Sequence, residues 1–200
     1  DDKAQYDDIE WDDYGGRREE IGHTELYKWL FNVNTVDQVL QTLMQHGYKV
    51  SGNDELGKTI IFAQSTDHAK FIQERFDFHY PQLAGSYAQV ITHDMERADA
   101  LVEQFTETPT PRIAISVDML DTGVDVPEIV NLVFFRRVQS KTKFWQMMGR
   151  GTRLRKDLFG VGQDKKEFAL FDFCGNLEFF NAHPKGVESK PSMSLEQRLF

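Results

Sequence analysis

The sequence predicts an α/β fold, with helices covering both faces of a parallel β-sheet in one domain that follows an acidic lead-in. Short β-branched and apolar runs alternate with helical patterns of about 10–15 residues. The chain has 200 residues, which suits one hydrophobic core, and its single cysteine excludes a disulfide framework. Strands that are separated by helices are joined by right-handed crossovers, and such crossovers make neighbouring strands parallel.

The predicted elements follow one another along the chain. The first helix begins at a cap, Asn34 or Thr35, carries its apolar residues on one stripe and ends at Gly47. Another helix begins at Ser65 or Thr66, directly after the first strand. In a sheet of this kind, ligands bind at the carboxyl ends of the strands. Strands are predicted at 59–64, 87–91, 112–118, 131–135 and 168–173, and further helices at 94–105 and 140–150.

Charge divides the chain into three segments. The net charge is −9, and residues 1–20 supply −6 of it through nine acids and three bases. We therefore expect an acidic, partly disordered lead-in over 1–33, the folded domain over 34–182, and the start of a following segment over 183–200. The first residue is not Met and no signal peptide is present, which favours a fragment excised from a longer cytoplasmic protein. No apolar run is long enough to predict a membrane span.

Residues 52–59, GNDELGKT, match the phosphate-loop pattern G-x-x-x-x-G-K-[ST] letter for letter. A working phosphate loop places a helix N-terminus at the Lys-Thr pair, where the helix dipole faces the anion. Here Lys58 and Thr59 lead into a strand instead, and Asp54 and Glu55 would repel a phosphate. The sequence favours a tight turn with a lysine at the strand edge. A self-contained NTPase that uses Lys58 and Thr59 stays open as an alternative.

A more specific constellation lies downstream. SVDMLDTGVDVP (116–127) resembles the fifth motif of superfamily 2 helicases, and QMMGRGTR (146–153) resembles their sixth. KTIIFAQSTDHA (58–69) resembles the fourth motif, and DMERADALVEQF (94–105) resembles the helix before the fifth. The resemblance covers roughly residues 35–175. Within the superfamily, the chain looks most like the motor (R) subunit of type I restriction-modification enzymes.

The resemblance implies the second of two RecA-like domains in an ATP-dependent translocase of double-stranded DNA. ATP and Mg²⁺ would be held mainly by the first RecA-like domain, and the modification and specificity subunits of the restriction complex would be further partners. This sequence has neither the acidic Mg²⁺-binding box nor the nuclease pattern of the family, so we expect the fragment alone to be inactive. Another superfamily 2 DNA or RNA helicase, or a non-catalytic α/β module, stays open as an alternative.

Three residues of the sixth motif have the spacing of one helix face. Gln146, Arg150 and Arg153 stand at i, i+4 and i+7, and Gly149 and Gly151 allow another backbone to approach closely. Arginines at a domain cleft can stabilise the charge that develops on a transferring γ-phosphoryl group. Arg150 is therefore the first candidate for a catalytic arginine, and Arg153 is the second.

The resemblance adds nucleotide-binding candidates around these arginines. Gln146 would help to sense the nucleotide, while Gly123 and Asp125 would meet its ribose or phosphate side and link the ATP cleft to DNA. The surrounding segment, 129–156, is a cationic stripe without an acid, and its bases are Arg136, Arg137, Lys141, Lys143, Arg150, Arg153, Arg155 and Lys156.

Loops after three predicted strands offer hydroxyls, amides and backbone N–H groups of the kind that contact phosphodiesters. By resemblance, these loops would grip the sugar-phosphate path of one strand without reading bases. The six histidines lack the spacing of metal ligands, so no metal site is predicted. The candidate nucleic-acid-binding residues are Gln64, Ser65, Thr66, Thr92, His93, Ser116 and Thr122.

Overall fold

The computed structural model describes residues 23–50, 52, 54–120 and 125–182. Helices and strands alternate through most of this part of the chain. In chain order the elements are α1 (His23–Leu30), α2 (Val33–His46), β1 (Lys49–Val50), β2 (Glu55–Leu56), β3 (Lys58–Ala63), α3 (Thr66–His79), β4 (Ala88–Ile91), α4 (Ala98–Glu107), β5 (Ile113–Ser116), β6 (Ile129–Phe135), α5 (Lys141–Met148), β7 (Arg155–Gly160), β8 (Gln163–Lys165), β9 (Ala169–Asp172) and α6 (Asn176–Ala182).

Five strands form the central sheet in the order β4-β5-β3-β6-β9, and every neighbouring pair is parallel. The predicted parallel sheet is therefore confirmed. Every residue of β3 and β6 is buried, because helices cover both faces of the sheet and leave no strand face to water. One face packs against α1, α2 and α3, and the other packs against α4, α5 and α6.

The structure moves the start of the folded part towards the N-terminus. Helix α1 was not predicted, because the segment was assigned to the acidic lead-in. Its Leu26 and Leu30 are buried in the core, and Trp29 packs edge-on against Phe135 with 5.5 Å between ring centroids. Helix α2 is capped by Asn32, whose side chain accepts a hydrogen bond from the Thr35 N–H at 3.2 Å, and not by Asn34 or Thr35. Residues 1–22 and 183–200 lie outside the described part.

The segment that resembles a phosphate loop leads into the central strand. Lys58 is its first residue and is buried, not placed at a solvated strand edge. Its ammonium donates to the carbonyls of Phe105 and of Thr108, the latter at 2.8 Å, at the C-terminal end of α4, where the helix dipole favours a cation. Burial lowers the pKa of Lys58. No helix begins at this point, so Lys58 and Thr59 cannot cradle a phosphate.

A buried amide ties this turn to the sheet. Asn131 in β6 accepts a hydrogen bond from the Tyr48 N–H at 2.7 Å and donates to the Tyr48 carbonyl at 3.1 Å. Its amide also donates to the Thr59 hydroxyl at 3.2 Å. The neighbouring Gly57 has no room for a side chain, because a Cβ there would lie 2.2 Å from a methyl carbon of Val130. The register at the start of β3 thus depends on side-chain contacts with β6.

We predict that Asn131→Leu destabilises the domain by about 1–3 kcal/mol, because it leaves the half-buried N–H of Tyr48 without its hydrogen-bond partner. Urea denaturation of the 200-residue chain measures the change in the free energy of unfolding. Asn34→Leu serves as the control, since Asn34 is an exposed residue of α2. An equal loss in both variants would contradict the role given to Asn131.

Burial also sets the protonation state of His68 in α3. The ring is fully buried, and its Nδ1 accepts a hydrogen bond from the Gln64 N–H at 3.2 Å. Burial lowers the pKa of His68 to about 4, although the nearby backbone of Leu30 acts in the opposite direction. Between this value and the ordinary pKa of 6.5, the unfolded chain binds a proton that the folded chain does not. The stabilising effect of a neutral His68 is therefore complete above pH 6.5 and is lost as the pH falls towards 4.

We predict that this single titration removes about 3 kcal/mol of the free energy of unfolding between pH 6.5 and pH 4. His68→Gln should flatten the pH dependence in this range, as measured by urea denaturation at a series of pH values. His46→Gln, at an exposed position near the end of α2, should keep the dependence of the parent chain. A parent-like pH profile for His68→Gln would refute the assignment.

Candidate functional site

Three neighbouring strands end at the same edge of the sheet. β3, β4 and β5 finish at Ala63, Ile91 and Ser116, and their parallel register brings the following loops together. The first two loops are joined directly, because the Thr66 hydroxyl donates to a carboxylate oxygen of Asp94 at 3.1 Å. The structure therefore places the predicted loops at one surface, which we call the carboxyl edge.

In the first loop, one hydroxyl group is used to cap helix α3. The Ser65 hydroxyl accepts a hydrogen bond from the His68 N–H at 3.2 Å, which makes Ser65 the N-cap of the helix. In the third loop, the Ser116 hydroxyl is buried and accepts a hydrogen bond from the Leu120 N–H at 3.4 Å. These two hydroxyls shape their loops, whereas His93 is exposed. Thr122 and Gly123 lie outside the described residues.

Three of the four buried polar atoms that have no partner among the described residues lie at the carboxyl edge, and the fourth is Nε2 of the buried His68. Thr92 is only 3% exposed, and its hydroxyl has no hydrogen-bond partner there. The same holds for the buried Oε1 of Gln64 and for Nε of Arg136, the residue that follows β6. Buried polar atoms are nearly always hydrogen-bonded in folded proteins. An acceptor and donors that are held at one edge in this way are suited to a ligand outside this chain.

A cluster of charged residues braces the third loop. The Arg136 guanidinium donates to the Val117 carbonyl at 2.6 Å and lies 3.4 Å from an oxygen of Asp118, which also accepts from Lys143 at 3.0 Å. Although burial opposes the change, the hydrogen bond from Lys143 and the charges of Lys143 and Arg136 lower the pKa of Asp118. The cluster joins β5, β6 and α5. Sequence patterns missed it, since its members are up to 25 residues apart.

The three residues of the predicted helix face do not share a helix. Helix α5 ends at Met148 and Gly149 is its C-cap, so Arg150 lies in the turn that follows and Arg153 lies in the irregular segment before β7. Two glycines within three residues weaken the helix at this point. Gln146, Arg150 and Arg153 nevertheless line one cavity of about 260 Å³ with Gly149. The helical argument was wrong for both arginines, but the three residues do come together.

The two arginines differ in their surroundings. Arg150 is half-buried, and its Nε donates to the Gln146 carbonyl at 3.4 Å. Arg153 is exposed and forms an ion pair of 3.1 Å with the exposed Asp125. Ion pairs between exposed side chains contribute little to stability, about 0–1 kcal/mol, so a phosphate can replace Asp125 as the partner of Arg153.

A Cβ on Gly151 would lie 2.5 Å from the Phe168 ring, so Gly151 makes room for a side chain and not for another backbone.

The cationic stripe is partly neutralised in the folded chain. Acids between residues 118 and 128 pair with four of its bases, although the stripe itself contains no acid. The charge available to a polyanion is therefore smaller than the composition of 129–156 predicts. The pairs are Arg136 and Lys143 with Asp118, Arg153 with Asp125, and Arg155 with Glu128.

Among the described residues, no helix is long and apolar enough to cross a membrane. Within the same ranges, no group of three or more His, Cys, Asp or Glu side chains could hold a metal ion. The nucleotide-binding candidates in the described part therefore consist of amide and guanidinium groups together with Asp125.

Comparisons with known proteins identify the family of the chain. The family model for the helicase conserved C-terminal domain matches residues 34–155. The EcoKI type I restriction enzyme endonuclease subunit of Escherichia coli K12 is 35% identical over 123 residues, which are 58% of this chain and 10% of that protein. The EcoAI endonuclease subunit of Escherichia coli is 32% identical over 130 residues, 62% of this chain and 15% of that protein. The chain thus spans a small part of these relatives.

Solved structures show the same fold. A fragment of a putative HsdR subunit of a type I restriction enzyme from Vibrio vulnificus superposes with a TM-score of 0.65 at 26% identity, covering 80% of this chain and 30% of that one. Yeast Dbp5 bound to RNA and ADP BeF3 superposes with a TM-score of 0.55 at 18% identity, covering 77% and 36%. The second likeness shows the fold alone. With a RecA-like sheet and a family match over residues 34–155, the chain belongs to the family of helicase conserved C-terminal domains and is similar to type I restriction enzyme endonuclease subunits.

Proposed function

We propose that the chain is the second motor domain of an ATP-dependent translocase of double-stranded DNA, as part of the R subunit of a type I restriction enzyme. The observation that carries the proposal is the shared cavity of Gln146, Arg150 and Arg153 beside α5. Its relatives by sequence, the type I endonuclease subunits, support the class of enzyme. ATP and Mg²⁺ would be held mainly by a preceding RecA-like domain, which explains why this chain needs no phosphate loop.

In this proposal the cavity supplies charge to the reaction. Arg150 follows α5 directly, and its Nε donates to the Gln146 carbonyl at 3.4 Å, a contact that would help to position the guanidinium. A positioned guanidinium stabilises the charge that spreads over the γ-phosphoryl oxygens during transfer. Arg153 would exchange Asp125 for a phosphate oxygen, and the freed Asp125 would be able to meet the ribose. The domain alone would be inactive, because the nucleotide lies mainly on its partner domain.

The carboxyl edge would hold the DNA backbone in the same proposal. Thr92 and Gln64 offer buried polar atoms without a partner in the described chain, and Thr66 and His93 flank them. Contacts of this kind bind phosphates and carry no sequence information, which is what a translocase requires. Sequence choice would belong to the specificity subunit of a cytoplasmic complex that also contains the modification subunit.

We predict that Arg150→Ala lowers the DNA-stimulated ATPase rate by about 10³-fold or more, since removal of an arginine finger lowers the rate of other phosphoryl-transfer enzymes by at least about that factor. The measurement uses this chain joined to its preceding RecA-like domain. Arg155→Ala is the matched control, because Arg155 belongs to the same stripe and pairs with Glu128 outside the cavity. Near-parental turnover by the Arg150 variant would refute its catalytic role.

For the DNA-binding surface, we predict that Thr92→Val weakens binding to duplex DNA by about three- to tenfold, the range that one lost hydrogen bond allows. The shape of the side chain is kept and only the hydroxyl is removed. Fluorescence anisotropy at several salt concentrations measures the affinity. Thr106→Val is the control, since the Thr106 hydroxyl already donates to the Val102 carbonyl at 2.8 Å within α4. Equal DNA affinities of the two variants would contradict the assignment of Thr92 to the DNA-binding surface.

A further inference from the structure

The antiparallel pair β7–β8 follows the arginine cavity in the chain and contacts segment 125–128. Arg155 is the first residue of β7 and stands opposite Lys165, the last residue of β8. Arg155 forms an ion pair of 3.4 Å with Glu128. The Lys165 ammonium donates to the Pro127 carbonyl at 3.0 Å. Two residues that are paired across the strands therefore contact two consecutive residues of segment 125–128.

Segment 125–128 forms part of the wall of the arginine cavity. Val126 is buried and lines the cavity with Arg150 and Arg153. Asp125 forms the ion pair of 3.1 Å with Arg153. A shift of this segment would therefore move both the cavity wall and the partner of Arg153.

The two contacts on segment 125–128 differ in strength. The side chains of Arg155 and Glu128 are 50% and 36% exposed, and ion pairs between solvated side chains contribute little. Lys165 is only 2% exposed, and burial lowers its pKa to about 8. A buried ammonium needs a hydrogen-bond acceptor, because it has lost its contacts with water. The Pro127 carbonyl meets this need, so the contact made by Lys165 is the stronger of the two.

The β7–β8 pair is itself held against the rest of the domain. The Tyr48 hydroxyl donates at 2.8 Å to a carboxylate oxygen of Glu167, which follows β8. The Tyr48 ring lies edge-on to Phe159 of β7, with 6.1 Å between ring centroids. The backbone of Tyr48 is in turn hydrogen-bonded to Asn131 in β6. The strand that carries Lys165 is thus connected to the central sheet.

We propose that Lys165 is a positioning residue for ATP hydrolysis, because it fixes the backbone of segment 125–128 and thereby the shape of the arginine cavity. The inference rests on the proposed function, in which Arg150 stabilises the γ-phosphoryl group. Lys165 acts through Pro127 and is not one of the residues that line the cavity. Such effects are large, since a displacement of about 1 Å can lower a rate by about 10²-fold.

Lys165→Met tests the inference, because it nearly keeps the length of the side chain and removes the ammonium. We expect the kcat of the DNA-stimulated ATPase to fall by about tenfold to 10²-fold, measured on this chain joined to its preceding RecA-like domain. KM for ATP should change by less than about twofold, since the nucleotide would lie mainly on the preceding domain. The urea midpoint of the 200-residue chain should stay close to the parental value, because the variant loses one hydrogen bond but no longer buries a charge.

Lys166→Met is the matched control. Lys166 is the next residue in the chain and is exposed, so the same substitution there should leave kcat and the urea midpoint unchanged. Lys165→Arg retains a charged donor, and its kcat should exceed that of Lys165→Met.

A parental kcat in Lys165→Met, measured beside an inactive Arg150→Ala, would overturn this inference alone. A parental kcat in Arg150→Ala would overturn the proposed function and this inference with it. Equal losses of kcat in Lys165→Met and Lys166→Met would also overturn the role of Lys165. Lys165→Gln, a shorter and uncharged side chain, repeats the comparison if Lys165→Met fails to fold, and a parental kcat there would have the same meaning.

Discussion

Burial of the parallel sheet on both faces is the constraint on which the rest of the structure depends. A strand such as β3 gives no face to water, so each of its residues must be apolar or have an internal partner. The polar residues at its start follow this requirement. Lys58 donates to the carbonyls at the end of α4, and the Thr59 hydroxyl donates to the Gly57 carbonyl at 2.8 Å. A segment with the letters of a phosphate loop thereby becomes part of the core.

The same constraint places unpaired polar side chains at the ends of the strands and not within them. Parallel strands point in one direction, so their loops gather at the carboxyl edge, where polar groups no longer need partners within the sheet. Thr92 and Gln64 retain unmatched polar atoms among the described residues, which costs stability. The arginines line a cavity with Gln146 in the segment that follows a short helix, where two glycines let the backbone leave the helical path. Asp118 connects both regions through Arg136 and Lys143.

The order of strands and helices could be predicted because it depends on local patterns. β3, β6 and α2 follow from apolar runs and stripes, and their boundaries agree within a few residues. The antiparallel strand pairs β1–β2 and β7–β8 could not be predicted in the same way, and neither could α1. α1 is short, and it is held by burial of Leu26 and Leu30 against residues that are distant in sequence. Residue spacing also overestimated the length of α5. A spacing of i, i+4 and i+7 cannot show that the glycines end the helix at Met148.

By itself, the sequence determined the class of the fold, the parallel sheet and the motifs through which the family is recognised. These depend on hydrophobic periodicity and on residue order, which are properties of the chain alone. Only the tertiary structure decided that Lys58 is a buried structural residue, that Asp118 and Asp125 neutralise part of the cationic stripe, and that Arg150 and Arg153 meet Gln146 without sharing a helix. The physical reason is that a charge or a polar atom is matched by its neighbours in space, and residue spacing cannot specify those neighbours.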